Sequence, residues 1–350
     1  MALLPAPTAD PRRGRTRSQR WERLGHGLYA PRRVRTLAED LAAWQLVLPK
    51  TAAFSHLTAA ELRGWWLPAP LVHPVFAAMS GTSGEPRRPG LFVCRHPKPV
   101  AVNLVDGLRV TTAAETLIAA ARDLGVLDLV IMGDSALRLS HCTITDLKIA
   151  AGARRRGAPL LRQVIPLLDR RSESPWESVM RVLHRAADIP VEPQHEVVTE
   201  RGRFLARVDL WIVGTRRIHE YDGAVHREAD THRNGRARAR RYLSRDRLLL
   251  ADHWQRYGYT SDQLLGHGGD LIAEVDRLLG RTWDPLRLAA WNALIASSLY
   301  GPAGRARARR QWARTTATPP AVPASDPQKV GGDCPETGAE QQPLRTFGKA

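Results

Sequence analysis

The most regular alternation of apolar and polar residues lies between positions 204 and 213. Because successive side chains of a strand point to opposite faces, this alternation predicts a strand over 204–213 with one buried face. Asp209 then lies on the opposite face, beside Arg207 and Trp211. The residues expected on the buried face are Phe204, Ala206, Val208, Leu210 and Ile212.

A second strand is predicted directly after this one. Residues 214–217 predict a turn, and 218–222 predict the returning strand of a hairpin. Glu220 and Asp222 share one face of the second strand, because they lie two positions apart. The hairpin can bring Asp209 close to Glu220, so we expect three carboxylates together near the edge of the sheet.

Further elements are predicted on both sides of this hairpin. Ser174-Pro-Trp-Glu177 is a helix start, with Ser174 as N-cap, a proline at the first helical position and Glu177 placed to close a capping box. A strand over 195–199 and a helix over 236–247 complete the pattern. From residue 172 onward we therefore expect an α/β sandwich made of a helix, three hairpin-linked strands and a helix.

The preceding block, residues 21–171, mixes helices with short strands. Thr58 is the predicted N-cap of a short helix that Gly64 ends, and Thr112 is the predicted N-cap of a helix with Glu115 at its third position. The other predicted elements are strands over 72–79, 91–95 and 108–111 and helices over 127–139, 145–153 and 160–168. The expected fold class is α/β of the α+β kind, with a mixed helical and small-sheet region followed by an αβββα domain and C-terminal helices at 172–300.

Both ends of the chain are expected to be disordered. Residues 1–20 are basic and show no apolar period. Residues 301–350 begin with a basic patch, expected on a solvated helix end, and continue rich in proline and glycine.

Composition adds expectations about partners and compartment. The formal net charge of +17 favours a polyanionic partner such as DNA or RNA, although an arginine-rich composition can also follow from a GC-rich genome. No run of about 18 apolar residues and no secretory signal can be read from the chain, so neither a membrane span nor export is expected. The three cysteines lie far apart in the sequence, which fits a reducing cytoplasm.

The predicted carboxylate cluster requires a neutralising partner. Closely packed like charges repel, so the cluster needs a proton, an arginine or a divalent cation. Oxygen ligands suit Mg²⁺ or Mn²⁺, and the metal-ligand candidates are Asp209, Glu220 and Glu177. The alternative reading is that these acids pair with some of the many arginines.

Two further groups of residues are candidates for this site. His226 follows the carboxylates closely and is a candidate catalytic residue, although a lone histidine is more often structural. A run of arginines at helical spacing then begins, which could track a phosphate backbone or could simply be a solvated face. The DNA-binding candidates are Arg233, Arg236, Arg240, Arg241 and Arg247.

Several motifs of this second block resemble a known enzyme superfamily. Ser174-Pro-Trp-Glu177, Arg207-Val-Asp-Leu-Trp211, Glu220-Tyr-Asp-Gly-Ala-Val-His226 and Asp246-Arg247 with His253-Trp254 resemble, in this order, a domain common in actinobacterial proteins. That domain is similar to very-short-patch-repair endonucleases and belongs to the PD-(D/E)xK nucleases.

The resemblance implies roles for particular residues. Glu177 would be the acid of the first helix, Asp209 the metal-binding aspartate and Glu220 the acid of the E-x-K pair. Asp222 stands where the superfamily has its lysine, and no lysine occurs between Lys148 and Lys329. Activation of water would then fall to the metal, with His226 or Gln194 as helpers.

The first block resembles a different family. Arg23-Leu-Gly-His-Gly-Leu-Tyr-Ala30, Phe54-Ser-His-Leu-Thr-Ala-Ala-Glu-Leu-Arg-Gly64, Thr111-Thr-Ala-Ala-Glu-Thr-Leu117 and Asp134-Ser-Ala-Leu137 resemble AbiEi-type antitoxins of type IV toxin–antitoxin systems. In that family a winged helix-turn-helix comes first and reads operator DNA. Residues 23–30 resemble the end of the wing, and we expect the recognition helices to be missing from the chain as given.

These inferences lead to one leading hypothesis and two alternatives. The first is a metal-dependent DNA endonuclease-like protein, with Mg²⁺ or Mn²⁺ as cofactor, DNA as substrate and Asp209, Glu220, Asp222 and His226 as catalytic residues. The second is a toxin–antitoxin or regulatory DNA-binding protein with an inactive nuclease fold and a toxin or regulatory protein as partner. The third is an inert interaction module.

Overall fold

The computed structural model describes residues 11–14, 20–80, 88–223 and 235–313, except for the side chains of Arg12 and of residues 235–242. This part of the chain is mixed α/β, with helices and several small sheets. Its strands are β1 (Arg12–Arg13), β2 (Trp21–Gly25), β3 (Leu28–Pro31), β4 (Ala53–Phe54), β5 (Val75–Ser80), β6 (Leu91–His96), β7 (Val102–Val105), β8 (Leu108–Thr111), β9 (Val191–Val198), β10 (Phe204–Ile212), β11 (Arg217–Tyr221) and β12 (Gln255–Tyr259).

Helices connect and cover these sheets. They are α1 (Leu37–Gln45), α2 (His56–Leu62), α3 (Ala113–Ala120), α4 (Val126–Arg138), α5 (Ile144–Gly152), α6 (Ala158–Val164), α7 (Pro175–Ala186), α8 (Gly235–Ala251), α9 (Ser261–Gly266), α10 (Gly268–Leu278), α11 (Pro285–Ser297) and α12 (Pro302–Ala313). A short 3₁₀ turn, Ile165–Leu167, follows α6.

Two sheets lie in the first block. One has the order β1-β3-β2, so Arg12–Arg13 is a strand although it lies in the expected disordered tail. The other has the order β6-β5-β4-β8-β7 and includes β4 and β7, which the sequence pattern did not predict. Both are short, and β7 is mostly exposed, so neither carries a long apolar alternation.

The predicted start of α2 at Thr58 is wrong. The helix begins after Ser55, and Thr58 is buried within it. The Thr58 hydroxyl accepts a hydrogen bond from the backbone N–H of Phe76 at 2.9 Å. A tertiary partner therefore uses the oxygen that the capping pattern assigns to the helix start. Gly64 does follow the helix and has a positive φ of 70°, which favours glycine.

Two other predicted helix starts are confirmed. Thr112 accepts from the backbone N–H of Glu115 at 3.4 Å, and Ser174 accepts from that of Glu177 at 3.1 Å. The carboxylate of Glu177, however, accepts from the backbone N–H of Glu173 at 2.8 Å instead of closing a capping box on Ser174. These caps depend on residues three positions apart, which is why sequence reveals them.

The sheet of the second block has four strands in the order β12-β11-β10-β9. Strands β9, β10 and β11 are antiparallel neighbours, as expected, but β12 adds a fourth strand parallel to β11. The expected αβββα arrangement is corrected to helix, three strands, helix and strand. Helix α7 contacts β9, β10 and β11, whereas α8 contacts β10 and β12.

The predicted buried face of β10 holds except at its start. Ala206, Val208, Leu210 and Ile212 are buried, but Phe204 is 56% exposed. The pairing of β10 with β9 shifts register between Phe204 and Ala206. Such an irregularity breaks the two-residue alternation, so Phe204 no longer shares the buried face.

The two blocks share one hydrophobic core. A continuous cluster includes Leu57 and Leu127 of the first block, Met180 and Leu210 of the second, and Trp312 of α12. The expected disordered tail from residue 301 is therefore wrong for 302–313, because α12 is ordered and buries Trp312. Residues 1–10, 15–19 and 314–350 lie outside the described residues.

Candidate carboxylate site

Asp209 and Glu220 occupy adjacent positions on neighbouring strands. In the pairing of β10 with β11, Leu210 lies opposite His219 and Trp211 lies opposite Ile218. One step further along this antiparallel register, Asp209 comes next to Glu220. The Asp209 carboxylate also accepts a hydrogen bond from the backbone N–H of Tyr221 at 3.0 Å, which fixes its orientation.

Asp209 and Glu177 are two acids in a largely desolvated position. Burial, with added repulsion from Glu177 and Glu220, raises the pKa of Asp209 to about 8. Burial also raises the pKa of Glu177, against hydrogen bonds that favour its charged form. Those bonds come from the backbone of Glu173 and from the Gln194 side-chain amide, both at 2.8 Å.

Glu220 and Asp222 are instead paired with arginines. Glu220 is 5% exposed, and both of its oxygens are held by Arg245 of α8 and Arg256 of β12, with Arg256 Nε 2.5 Å from Oε2. Arg256 Nη2 also donates to Asp222 Oδ1 at 2.8 Å. The sequence left three ways to neutralise the carboxylates: a proton, an arginine or a divalent cation. At Glu220 and Asp222 the neutralising group is arginine.

Arg256 is, with Arg245, one of two site arginines that the sequence analysis did not propose. It lies on β12, and the alternation of Arg256 and Gly258 with Tyr257 and Tyr259 is a weak strand signal that could have placed it. The pairing of β12 with β11 sets Gly258 beside Glu220. With no side chain at Gly258, the neighbouring Asp222 carboxylate occupies the space that a Cβ would fill.

The candidate metal ligands divide into two kinds. Within the described residues, no group of three or more His, Cys, Asp or Glu is arranged to hold a metal ion. Mg²⁺, however, is often bound by one or two carboxylates together with waters and a substrate phosphate. Glu177 and Asp209 form no ion pair with any described arginine, so they fit such a partial site. Glu220 does not fit as a ligand here, because its oxygens are committed to Arg245 and Arg256.

The other predicted site residues are only partly described. His226 and Arg233 lie outside the described residues, and Arg236, Arg240 and Arg241 lie on α8 with side chains that the structure does not describe. Arg247 is exposed on the same helix.

His219 is buried on the opposite face of β11 from Glu220. Its Nδ1 lies 2.9 Å from Nε2 of His184. Burial, with the charges of His184 and Arg217, holds the pKa of His219 well below its usual value. The pair therefore stays neutral and belongs to the interior.

Comparison with known proteins leaves both family resemblances untested. No protein-family model matches the chain, and neither the curated proteins nor the solved structures yield a significant match. In the described part of the chain, no helix is both long and apolar enough to cross a membrane.

Proposed function

We propose that the protein is a metal-dependent DNA endonuclease with a restriction-endonuclease-like domain at 172–300. The observation that carries this proposal is the pair Glu177 and Asp209, two desolvated acids without an arginine partner among the described residues. Directly beside them, Glu220 and Asp222 are already neutralised by Arg245 and Arg256. Once both have lost their protons, Glu177 and Asp209 carry two negative charges, which match one divalent cation.

Each residue then has a distinct task. Glu177 and Asp209 would hold Mg²⁺ or Mn²⁺, which when bound supplies Lewis-acid stabilisation of charge on the phosphate oxygens. Glu220 fixes the guanidinium groups of Arg245 and Arg256 beside the pair. These two guanidinium groups offset the charges of Glu220 and Asp222, so the acids left to bind a cation are Glu177 and Asp209. Gln194 holds Glu177 in place.

A second candidate function has support of its own. The arginines that neutralise Glu220 and Asp222 also remove two carboxylate ligands that a larger metal site would need. With Asp222 in place of a lysine, this favours the alternative of a DNA-binding regulator whose nuclease fold no longer cleaves.

A plasmid assay distinguishes the two functions. Supercoiled plasmid is incubated with the full chain and Mg²⁺ or Mn²⁺, and the same assay is run with Asp209→Asn, Glu177→Gln and Glu196→Gln. Glu196 is the matched control, because it is an exposed acid on β9. If the protein is a nuclease, the wild type should nick the plasmid. A chelator, Asp209→Asn or Glu177→Gln should each abolish nicking, whereas Glu196→Gln should preserve it. DNA binding without nicking would favour the regulator, and nicking insensitive to both site variants would exclude this site.

A further inference from the structure

A cationic cavity of about 820 Å³ lies in the first block, away from the strands that carry the carboxylates. Its walls are formed by the end of β6 with the segment after it, by helix α3, and by the end of α5 with the residues that follow it. Its volume lies within the range of sites that hold small ligands. The cationic residues that line it are Arg95, Lys98, Arg122, Arg154, Arg155 and Arg156.

Four of these cations form no ion pair with any described residue. Glu115 is the one acid in the lining, and Arg155 binds both of its oxygens, at 2.8 and 2.7 Å. Within the described part of the chain, Lys98, Arg154 and Arg156 form no ion pair, and all are exposed. Arg122 likewise forms no ion pair there. Like charges gathered around one cavity repel, so an anion of high charge density would stabilise them.

The wall behind these cations is apolar. The apolar lining residues are Ile118, Ala119, Ala150 and Ile149, and Ile149 is 72% exposed. An apolar wall beside a cationic rim suits a ligand that has a planar, weakly polar part and a phosphorylated part.

His96 adds a polar group with unused capacity. Its Nε2 is buried and has no hydrogen-bond partner in the described structure. Burial and the charge of Arg122 lower the pKa of His96, so the ring is neutral near pH 7. A buried polar atom without a partner is unfavourable, and a bound ligand can supply the missing hydrogen bond.

We propose that this cavity binds a nucleoside phosphate, either a free nucleoside triphosphate or the 5′-phosphorylated end of a nucleic acid. A nucleoside phosphate concentrates negative charge in a small volume and carries a base for the apolar wall. An acidic peptide spreads single charges along its length and matches a compact cluster of cations less well. The inference does not rest on the carboxylate site, which belongs to other elements of the fold.

Calorimetric titration of the full chain tests this proposal. The probes are ATP, inorganic triphosphate and a short oligonucleotide with or without a 5′-phosphate, all in chelator so that divalent cations do not contribute. The double variant Arg154→Gln/Arg156→Gln removes two unpaired cavity cations. The control Arg309→Gln/Arg310→Gln removes the same charge from exposed positions on α12. Thermal unfolding checks that each variant is folded.

The wild type should bind ATP or the 5′-phosphorylated oligonucleotide. Arg154→Gln/Arg156→Gln should weaken that binding by about tenfold or more, because charged hydrogen bonds are lost. The control Arg309→Gln/Arg310→Gln should change the affinity by less than about twofold, because salt screens exposed surface charges. The tighter of the two probes identifies the source of the phosphate. Equal weakening by both variants, equally tight binding of inorganic triphosphate, or no binding at millimolar concentration would overturn the proposal.

Discussion

Arg181 and Asp134 form a fully buried ion pair, with Arg181 Nη2 2.5 Å from Asp134 Oδ2. The pair joins α7 of the second block to α4 of the first. Ser178 donates to the same carboxylate at 2.6 Å, and the backbone N–H of Asp169 donates to its other oxygen at 2.7 Å. A buried polar network thus crosses the position where the sequence suggested a domain boundary.

Asp134→Ala should strongly destabilise the whole fold. It leaves the Arg181 charge buried without its partner, which typically costs about 3–5 kcal/mol of unfolding free energy. The double variant Asp134→Leu/Arg181→Met should lose much less, because no unpaired charge remains. Urea unfolding measures both. The control is Arg33→Ala, which breaks the exposed pair with Glu39 and should cost far less. If breaking the buried pair and breaking the exposed pair lowered the free energy of unfolding equally, the buried pair would not hold the two blocks together.

Asp209 should make the protein less stable as pH rises. Its pKa in the folded chain is about 8, above the ordinary value of an aspartate, so the folded state keeps a proton that the unfolded state has lost. This contribution is complete below pH 4 and disappears as pH rises through 8. Between pH 6 and 9 the wild type should lose about 3 kcal/mol more than Asp209→Asn.

Chemical unfolding at several pH values measures this difference, with Glu196→Gln as the exposed control. Divalent cations should bind more tightly as pH rises towards 8, because binding requires loss of the Asp209 proton. Mn²⁺ titration of the wild type checks this, and an affinity independent of pH between 6 and 8 would argue against Asp209 as a ligand.

Gly258→Ala should disturb the site without unfolding the protein. The new Cβ overlaps the position of the Asp222 carboxylate, which is a side chain that can move away. Asp222 would then lose its contact with Arg256, while the free energy of unfolding should change by no more than about 1 kcal/mol.

The DNA-directed activity of Gly258→Ala should therefore fall to the level of Asp222→Asn in the plasmid assay. Gly266→Ala is the matched control, since a Cβ there meets no atom within 4 Å. Full activity of Gly258→Ala would mean that the Asp222–Arg256 contact does not matter.

Trp312→Ala should show that α12 belongs to the fold. Trp312 is 3% exposed, lies edge-on to Phe76 with ring centroids 5.4 Å apart, and donates to Asp123 at 3.3 Å. Its removal should lower the free energy of unfolding by about 3–5 kcal/mol, as for other buried tryptophans. Thermal and urea unfolding measure this. Trp283→Ala is the control, because Trp283 is 40% exposed and should matter far less. An unchanged free energy of unfolding in Trp312→Ala would instead indicate that α12 is not part of the folded core.

Prediction from sequence succeeded where the information is local. The caps at Thr112 and Ser174, the alternation along β10 and the adjacency of Asp209 and Glu220 depend on neighbours within a few residues or one short hairpin. It failed at Thr58, whose hydroxyl serves a distant strand, and at β12, whose pairing partner lies far away in the chain.

The carboxylate cluster itself follows from the sequence, because strand parity places Asp209 and Glu220 before any long-range contact is known. Only the tertiary structure decides which acids are neutralised. Arg245 and Arg256 reach Glu220 from a helix and a strand outside the hairpin, whereas Glu177 approaches Asp209 from α7. The charge state of a buried acid depends on every group packed around it, and those neighbours come from parts of the chain that the hairpin pattern does not contain.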